Sequence, residues 1–276
     1  LYYYTYYGKH IKDIPFYKIK DLKALTTVPL EIGNIVHDIL EAFLRRLQKS
    51  DSDIDEQRFY EFARHKTQKY FSTKTFLEIY YGQKETVDAE AAYERVAACL
   101  RNFIGSPIYS WLFMKAMRNR ENWMIEPAGY GETRLNGLKA YCKMDFLFPV
   151  DDHVYIIDWK TGRRDDYKHT RQVIGYAAAA GSNFGIPHNV IYPKIVYLHP
   201  EFDELELTPS QGDLDDLYRL VLEQTEEMLS FCEDRDRNIP LPMEKFLMNP
   251  AEHKCRRCNF QELCFPDKDK PAPSFD

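Results

Sequence analysis

Two apolar segments meet at an acidic two-residue turn in the middle of the chain, and the second of them ends on charge. Residues 138–149 and 153–159 read as strands, with Asp151 and Asp152 as the turn of a hairpin. Side chains alternate faces along a strand. In YIIDWKTG (155–162), Asp158 and Lys160 therefore share a face with Ile156, while Trp159 shares the other with Ile157. The strand starts buried and finishes by presenting two opposite charges on one side, and charges in that position need partners or a metal ion. Asp145 lies in the preceding segment, YCKMDFLF, and pairing of the hairpin brings its carboxylate toward Asp158. Two close carboxylates repel unless a cation sits between them. Hard oxygen ligands of this kind suit Mg²⁺ or Mn²⁺. Such an ion would activate a water and polarise a phosphoryl oxygen, with Lys160 placed to steady the charge that develops. The alternative is a solvated hairpin end carrying an Asp158–Lys160 ion pair.

The flanking sequence supplies helices. Ile32, Ile35, Val36, Ile39, Leu40, Phe43, Leu44 and Leu47 recur at helical spacing and predict a helix over 29–47. Further helices fit 57–76, 86–104 and 107–118, after an aromatic and basic stretch at 1–20 that turns at Gly8. Residues 129–134 read as a turn. Downstream of the charged strand, a polar loop leads to an alanine-rich helix at 170–184 and a strand at 190–198, where Pro193 suggests an edge or a bulge. Residues 204–208 are placed to pair beside that strand. A long helix follows at 211–235, capped by Thr208 or Ser210 with Asp213 in its first turn.

At 276 residues, with 44% apolar and 29% charged residues, the chain is an ordinary globular sequence and neither fibrous nor disordered. A net charge of −6 argues against a broad non-specific nucleic-acid coat but leaves room for a local basic groove. No run of 18 apolar residues and no signal peptide is visible, so a cytoplasmic protein without a membrane partner is expected. Arg163, Arg164, Lys168 and Arg171 make the loop after Lys160 basic. They read either as phosphate contacts or as a solvated loop paired with Asp165 and Asp166. Gln172 and Tyr176, four apart, share a helical face. His37 reads as a metal ligand or a packed helix-face histidine, and Glu126 is a further candidate.

Six cysteines occur, at 99, 142, 232, 255, 258 and 264, and scattered singles with one tight group suit a reduced metal-binding protein. Cys255, Cys258 and Cys264 are spaced C-x₂-C-x₅-C. Zinc and a [4Fe–4S] cluster both suit such thiolates, and both want four ligands. Cys99 and Cys232 read as apolar positions on helices. Cys142 reads as part of the Asp145 strand, facing the other side, so none of the three is a good fourth ligand.

These motifs, in this order, resemble the PD-(D/E)XK nuclease superfamily, and within it the RecB-like branch that includes the Cas4 and AddB nuclease domains. Gly33 and His37 in GNIVH match the first motif, followed by Asp145, then Asp158 with Lys160, then Gln172 with Tyr176, then the three downstream cysteines. The resemblance implies an α/β, restriction-endonuclease-like core: a central mixed sheet flanked by helices. A nuclease domain would span 1–237, with a helical part at 29–126, the sheet core at 127–209 and the long helix at 211–235. A Cys-rich tail at 238–276 would pack on that domain. His37, Asp145, Asp158 and the Trp159 backbone carbonyl would hold the catalytic Mg²⁺ or Mn²⁺. Lys160 would serve the nucleophilic water, and Gln172 and Tyr176 would position DNA or brace the site. The thiolates would hold a [4Fe–4S] cluster, its fourth ligand a cysteine upstream near the YYYTYY run, with zinc as the substitute. The implied activity is hydrolysis of DNA from a single-stranded or free end, beside a helicase or in CRISPR adaptation. No GxxxxGK[ST] motor motif is present, so unwinding would need that partner. The alternative is a cluster- or zinc-stapled DNA-binding subunit with an inert core.

Overall fold

The computed structural model describes residues 2–126 and 132–265. The helices run in chain order as α1 (Tyr2–Tyr7), α2 (Phe16–Ala24), α3 (Val28–Leu47), α4 (Glu56–Thr73), α5 (Leu77–Tyr80), α6 (Ala89–Ile104), α7 (Pro107–Met114), α8 (Asp166–Phe184) and α9 (Gln211–Ser230), with short turns Glu252–Cys255 and Gln261–Cys264 beyond them. The strands are β1 (Met124–Ile125), β2 (Glu132–Leu135), β3 (Leu138–Tyr141), β4 (Phe146–Val150), β5 (His153–Lys160), β6 (Ile191–Tyr197), β7 (Asp203–Glu206), β8 (Cys232–Asp234) and β9 (Ile239–Pro240). They fall into two compact units, Pro29–Thr73 with Asp88–Glu223, and Leu1–Val28 with Lys74–Val87 and Gln224–Asp276. No helix among the described residues is long and apolar enough to cross a membrane.

The larger unit is built on a mixed five-stranded sheet in the order β1-β4-β5-β6-β7, with β5 and β6 parallel and the other pairs antiparallel. The β4–β5 hairpin turns at Asp151, whose φ of 52° suits a short polar residue. On one face, Leu147, Ile156 and Ile195 pack against Val173, Tyr176, Ala177 and Ala180 of α8, where the small alanines let the helix lie close. On the other, Trp159 meets Phe103 of α6 at 5.4 Å and Phe148 meets Trp111 of α7 at 5.0 Å. Phe103 in turn meets Phe43 of α3 at 5.6 Å. All eight apolar positions read as the stripe of α3 are buried. The fold is therefore α/β, a mixed sheet between layers of helices, as the sequence implied.

Several expectations change. The run 138–149 is not one strand. β3 pairs with β2 in a separate two-stranded sheet, and the chain crosses to the main sheet through 142–145 before β4 begins. Cys142 and Asp145 therefore lie in this link and not within a strand. The stretch read as a turn at 129–134 contributes β2 from Glu132, and 129–131 lie outside the described residues. The 107–118 helix stops at Met114 and continues as a 3₁₀ segment, Ala116–Asn122. α8 starts earlier than expected because Asp165 caps it, its side chain accepting from Lys168 N. α9 ends at Ser230, which puts Cys232 on β8 and not on a helix. Pro193 lies within an interior strand. The Leu207 amide donates to Pro193 O, so the ring nitrogen faces the same side, just past the last residue of the short β7, where no ladder bond is lost.

In the smaller unit, Tyr4, Ile19, Leu22, Leu25, Leu77 and Phe260 form an apolar cluster with Cys258 and Cys264 packed against it. Tyr4 donates to the carbonyl of Leu263 at 3.4 Å, and Asn259 Nδ2 donates to Leu25 O at 2.8 Å. Gly8 is required there, since a Cβ would come within 2.7 Å of Ile19. Residues 266–276 of the expected tail lie outside the described residues.

Candidate active site

β5 delivers Asp158, Trp159 and Lys160 to one end of the larger unit's sheet. Asp158 is 3% exposed. Its Oδ1 accepts from Gln172 Nε2 at 3.0 Å and from the hydroxyl of Tyr176 at short range, both one turn apart on α8. The Gln172 amide also donates to the Tyr176 oxygen. The helical face read from the four-residue spacing thus braces the carboxylate. Lys160 Nζ stands 2.5 Å from Asp158 Oδ2, a close ion pair to an oxygen shielded from water. A buried carboxylate that faces a second one, Asp145, is costly unless positive charge accompanies it.

Beside it, α3 brings His37 to the same strand end. Nε2 lies 2.8 Å from the Trp159 carbonyl oxygen and Nδ1 lies 3.3 Å from Asp145 Oδ2. The same Asp145 oxygen accepts from the Trp159 amide at 3.1 Å. Both histidine contacts are donations only if the ring is protonated. Glu126 ends β1 with φ at 37°, a strained value for a glutamate, and its amide donates to Asp145 O at 2.8 Å. Ligand atoms of His37, Glu126 and Asp145 lie within 4.8 Å of one another. Among the described residues this is the one such group of His, Cys, Asp and Glu. The three tail thiols do not form one.

The electrostatics follow from this crowding. Burial pushes the Asp158 carboxyl up, and the Asp145 charge pushes it further. Lys160 and Tyr176 pull the other way without restoring its ordinary value. Burial alone would lower the His37 imidazole, but its hydrogen bond to Asp145 and the charges of Asp145 and Asp158 prevail and raise it to about 8. Burial and the same two carboxylates hold Tyr176 protonated, so it stays a donor. Burial and Asp158 push the Cys142 thiol up to about 12.

Two features carried no clear signal in the sequence. Arg95 of α6 donates to the Thr161 carbonyl at 3.2 Å and so fixes the turn after Lys160. Next to His37, Asp38 takes Lys66 at 2.6 Å and the hydroxyl of Tyr70. The expected basic loop is divided. Arg164 is engaged by Asp166 at 2.5 Å and Asp203 at 2.6 Å, and Arg171 donates to Tyr167 at 2.9 Å. Arg163 and Lys168 are exposed.

A family model of the PD-(D/E)XK nuclease superfamily matches residues 1–265. The chain belongs to that superfamily. Its sheet and flanking helices are the restriction-endonuclease-like core of these nucleases. Two solved structures are similar to this PD-(D/E)XK chain. One is a protein from Eubacterium rectale described as a candidate exonuclease, 12% identical, covering 83% of this chain and 78% of its own, with a TM-score of 0.41. The other is a protein designated SSO0001, 16% identical, covering 64% and 73%, with a TM-score of 0.31. At these scores neither adds to the assignment. No curated protein sequence matches.

His37 offers a direct check on this geometry. In metal-free protein its imidazole should titrate near 8 by NMR, and Asp145→Asn should bring it down by removing the partner that holds the proton. The sign for stability follows: the pair stabilises the fold fully below about 6.5, and that contribution is lost as pH rises through about 8. An unchanged His37 titration in Asp145→Asn would contradict the contact.

Proposed function

We propose that this protein is a divalent-metal-dependent deoxyribonuclease of the RecB-like branch, hydrolysing phosphodiester bonds from single-stranded ends in DNA repair, recombination or CRISPR adaptation, with a helicase or adaptation protein as partner. One observation carries the reading: a buried Asp158 carboxylate, ion-paired with Lys160 at 2.5 Å, beside a His37–Glu126–Asp145 group whose ligand atoms converge.

The residues fit a hard divalent cation. The acceptor set is carboxylate, carbonyl and neutral imidazole, the donors that Mg²⁺ and Mn²⁺ accept. The two ring N–H groups of protonated His37, one toward the Trp159 carbonyl and one toward Asp145, link the groups the family pattern assigns as ligands. His37, Asp145, Asp158 and the Trp159 carbonyl would hold the ion, with Glu126 beside them. When bound, it supplies Lewis acidity to a phosphoryl oxygen and to the water that attacks phosphorus.

The chain's own side chains do the rest. Gln172 and Tyr176 fix one Asp158 oxygen so that the other keeps its direction. Asp145 is held by the Trp159 amide, which ties both carboxylates to one strand segment. Lys160 is partly exposed and keeps a cation at the site mouth, where it orients the attacking water and steadies negative charge on the phosphoryl oxygens. Exposed Arg163 and Lys168, with Arg171, would contact the DNA backbone. Asp145→Ala, Asp158→Ala and Lys160→Ala should each lower cleavage of end-labelled DNA in Mg²⁺ or Mn²⁺ by roughly a hundredfold or more. EDTA should abolish it, and His37→Ala should fold and lose most activity. Calorimetry should show weaker metal binding in the two aspartate variants and little change in Lys160→Ala. Undiminished cleavage by folded Asp158→Ala protein would end the proposal.

The same reading takes Cys255, Cys258 and Cys264 as thiolate ligands of a [4Fe–4S] cluster, or of zinc in its place. Support comes from their C-x₂-C-x₅-C spacing and from Cys258 and Cys264 packing against one apolar cluster of the smaller unit. The role would be structural, a staple for the tail. Protein purified without oxygen should hold about four irons and absorb broadly near about 400 nm. Stoichiometric zinc without iron would reject the cluster.

A further inference from the structure

The nuclease unit leaves two aromatic rings almost wholly in water, and both stand close in sequence to its catalytic groups. Tyr141 is 81% exposed and Tyr167 is 74% exposed. Among the described residues of that unit, the next most exposed aromatic ring is Phe62 at 40%. Tyr141 ends β3, four residues before Asp145, on the link that crosses between the two sheets. Tyr167 lies in the first turn of α8, seven residues after Lys160 and five before Gln172. Neither ring is needed for the core, which the buried aromatics of β4, β5, α6 and α7 already fill.

Each ring has cations near it in the chain. The Arg171 guanidinium sits 5.0 Å from the Tyr167 ring centre and donates to its hydroxyl, which stiffens the ring in the open. Arg163 and Lys168 are exposed in the same loop and first turn. Near Tyr141 in sequence, Lys139 and Lys143 are ion-paired with Glu132 and Glu126, so its basic neighbours come from the chain's order. Rings interleaved with basic groups match a nucleic-acid strand chemically: phosphates meet the cations, and bases stack on the rings. Stacking requires a base with a free face, which a continuous duplex does not present.

We propose that Tyr167 and Tyr141 are stacking platforms for unpaired bases on either side of the scissile phosphate, and that they are the specificity-determining residues that make this nuclease select single-stranded DNA. The proposal rests on the nuclease reading above and adds to it two residues outside the metal-binding motifs.

An abasic walk tests it. A single-stranded oligonucleotide is prepared as a series in which one base at a time is removed while the phosphates remain. Affinity is measured by fluorescence anisotropy with Mg²⁺ present, in the Lys160→Ala background so that the DNA stays intact. Two positions should each lose roughly tenfold in affinity when the base is absent. Tyr167→Ala should lose roughly the same on intact DNA and become indifferent to one of those positions, and Tyr141→Ala to the other. Tyr167→Phe and Tyr141→Phe should behave like the parent, because the ring and not the hydroxyl does the stacking. Duplex affinity should stay unchanged in all four variants. A flat abasic profile in the parent, or tyrosine-to-alanine variants that keep it, would overturn the inference while leaving cleavage and its dependence on Asp158 intact. A parent protein that binds no DNA would overturn the nuclease reading as well.

Discussion

Holding a carboxylate almost wholly out of water at the end of an apolar strand is the condition to which the rest of the nuclease unit is fitted. Asp158 is desolvated by its strand and faces a second carboxylate at Asp145, and both raise the free energy of its charged form. Gln172 and Tyr176 answer on one oxygen and Lys160 approaches the other. Asp145 leans on the Trp159 amide and on His37, whose raised pKa reflects the same excess of negative charge. The balance stays incomplete, because burial and Asp145 outweigh Lys160 and Tyr176 and leave the Asp158 carboxyl raised. An acidic group poised in this way favours any event that brings positive charge to it, whether protonation or cation binding.

That condition accounts for the architecture around it. The alanine face of α8 brings its polar end within reach of β5, so Gln172 and Tyr176 can cross to Asp158. α3 approaches the same strand end to place His37 against the Trp159 carbonyl. Trp159, between the two charged residues, anchors the strand on the opposite face through Phe103. The residues that point toward the chemistry are held by those that point away from it.

Much of this could be read from the sequence, because β5 follows a strict alternation and α3 a clean helical stripe. Both are local patterns, and both fix which face each functional group occupies. The spacing of Gln172 and Tyr176 also gave their common face, though not their partner, which comes from another element. What escaped was non-local. An apolar run from 138 to 149 does not reveal that its first part pairs with β2 and its second with β5, so Asp145 was placed within a strand and not on the link between sheets. Pro193 suggested an edge, but its missing amide lies where the short β7 has already ended. Arg95 looked like any helical arginine until the Thr161 carbonyl came to it. The partition of the basic loop between ion-paired Arg164 and exposed Arg163 depends on Asp203, nearly forty residues away.

Burial of ionised Asp158 against Asp145 costs the fold stability that a bound cation would restore. Thermal melting of wild-type and Asp158→Asn protein, each with and without Mn²⁺, addresses that cost directly. Because the folded state raises the Asp158 pKa, ionised Asp158 disfavours folding at neutral pH, and that penalty is relieved as pH falls through its raised value. The metal-free Asp158→Asn protein should therefore melt higher than wild type. Mn²⁺ should raise the wild-type midpoint through preferential binding to the folded state and leave the variant almost unmoved. A wild-type midpoint indifferent to Mn²⁺ and Mg²⁺, or a metal-free Asp158→Asn protein that melts lower than wild type, would contradict the account.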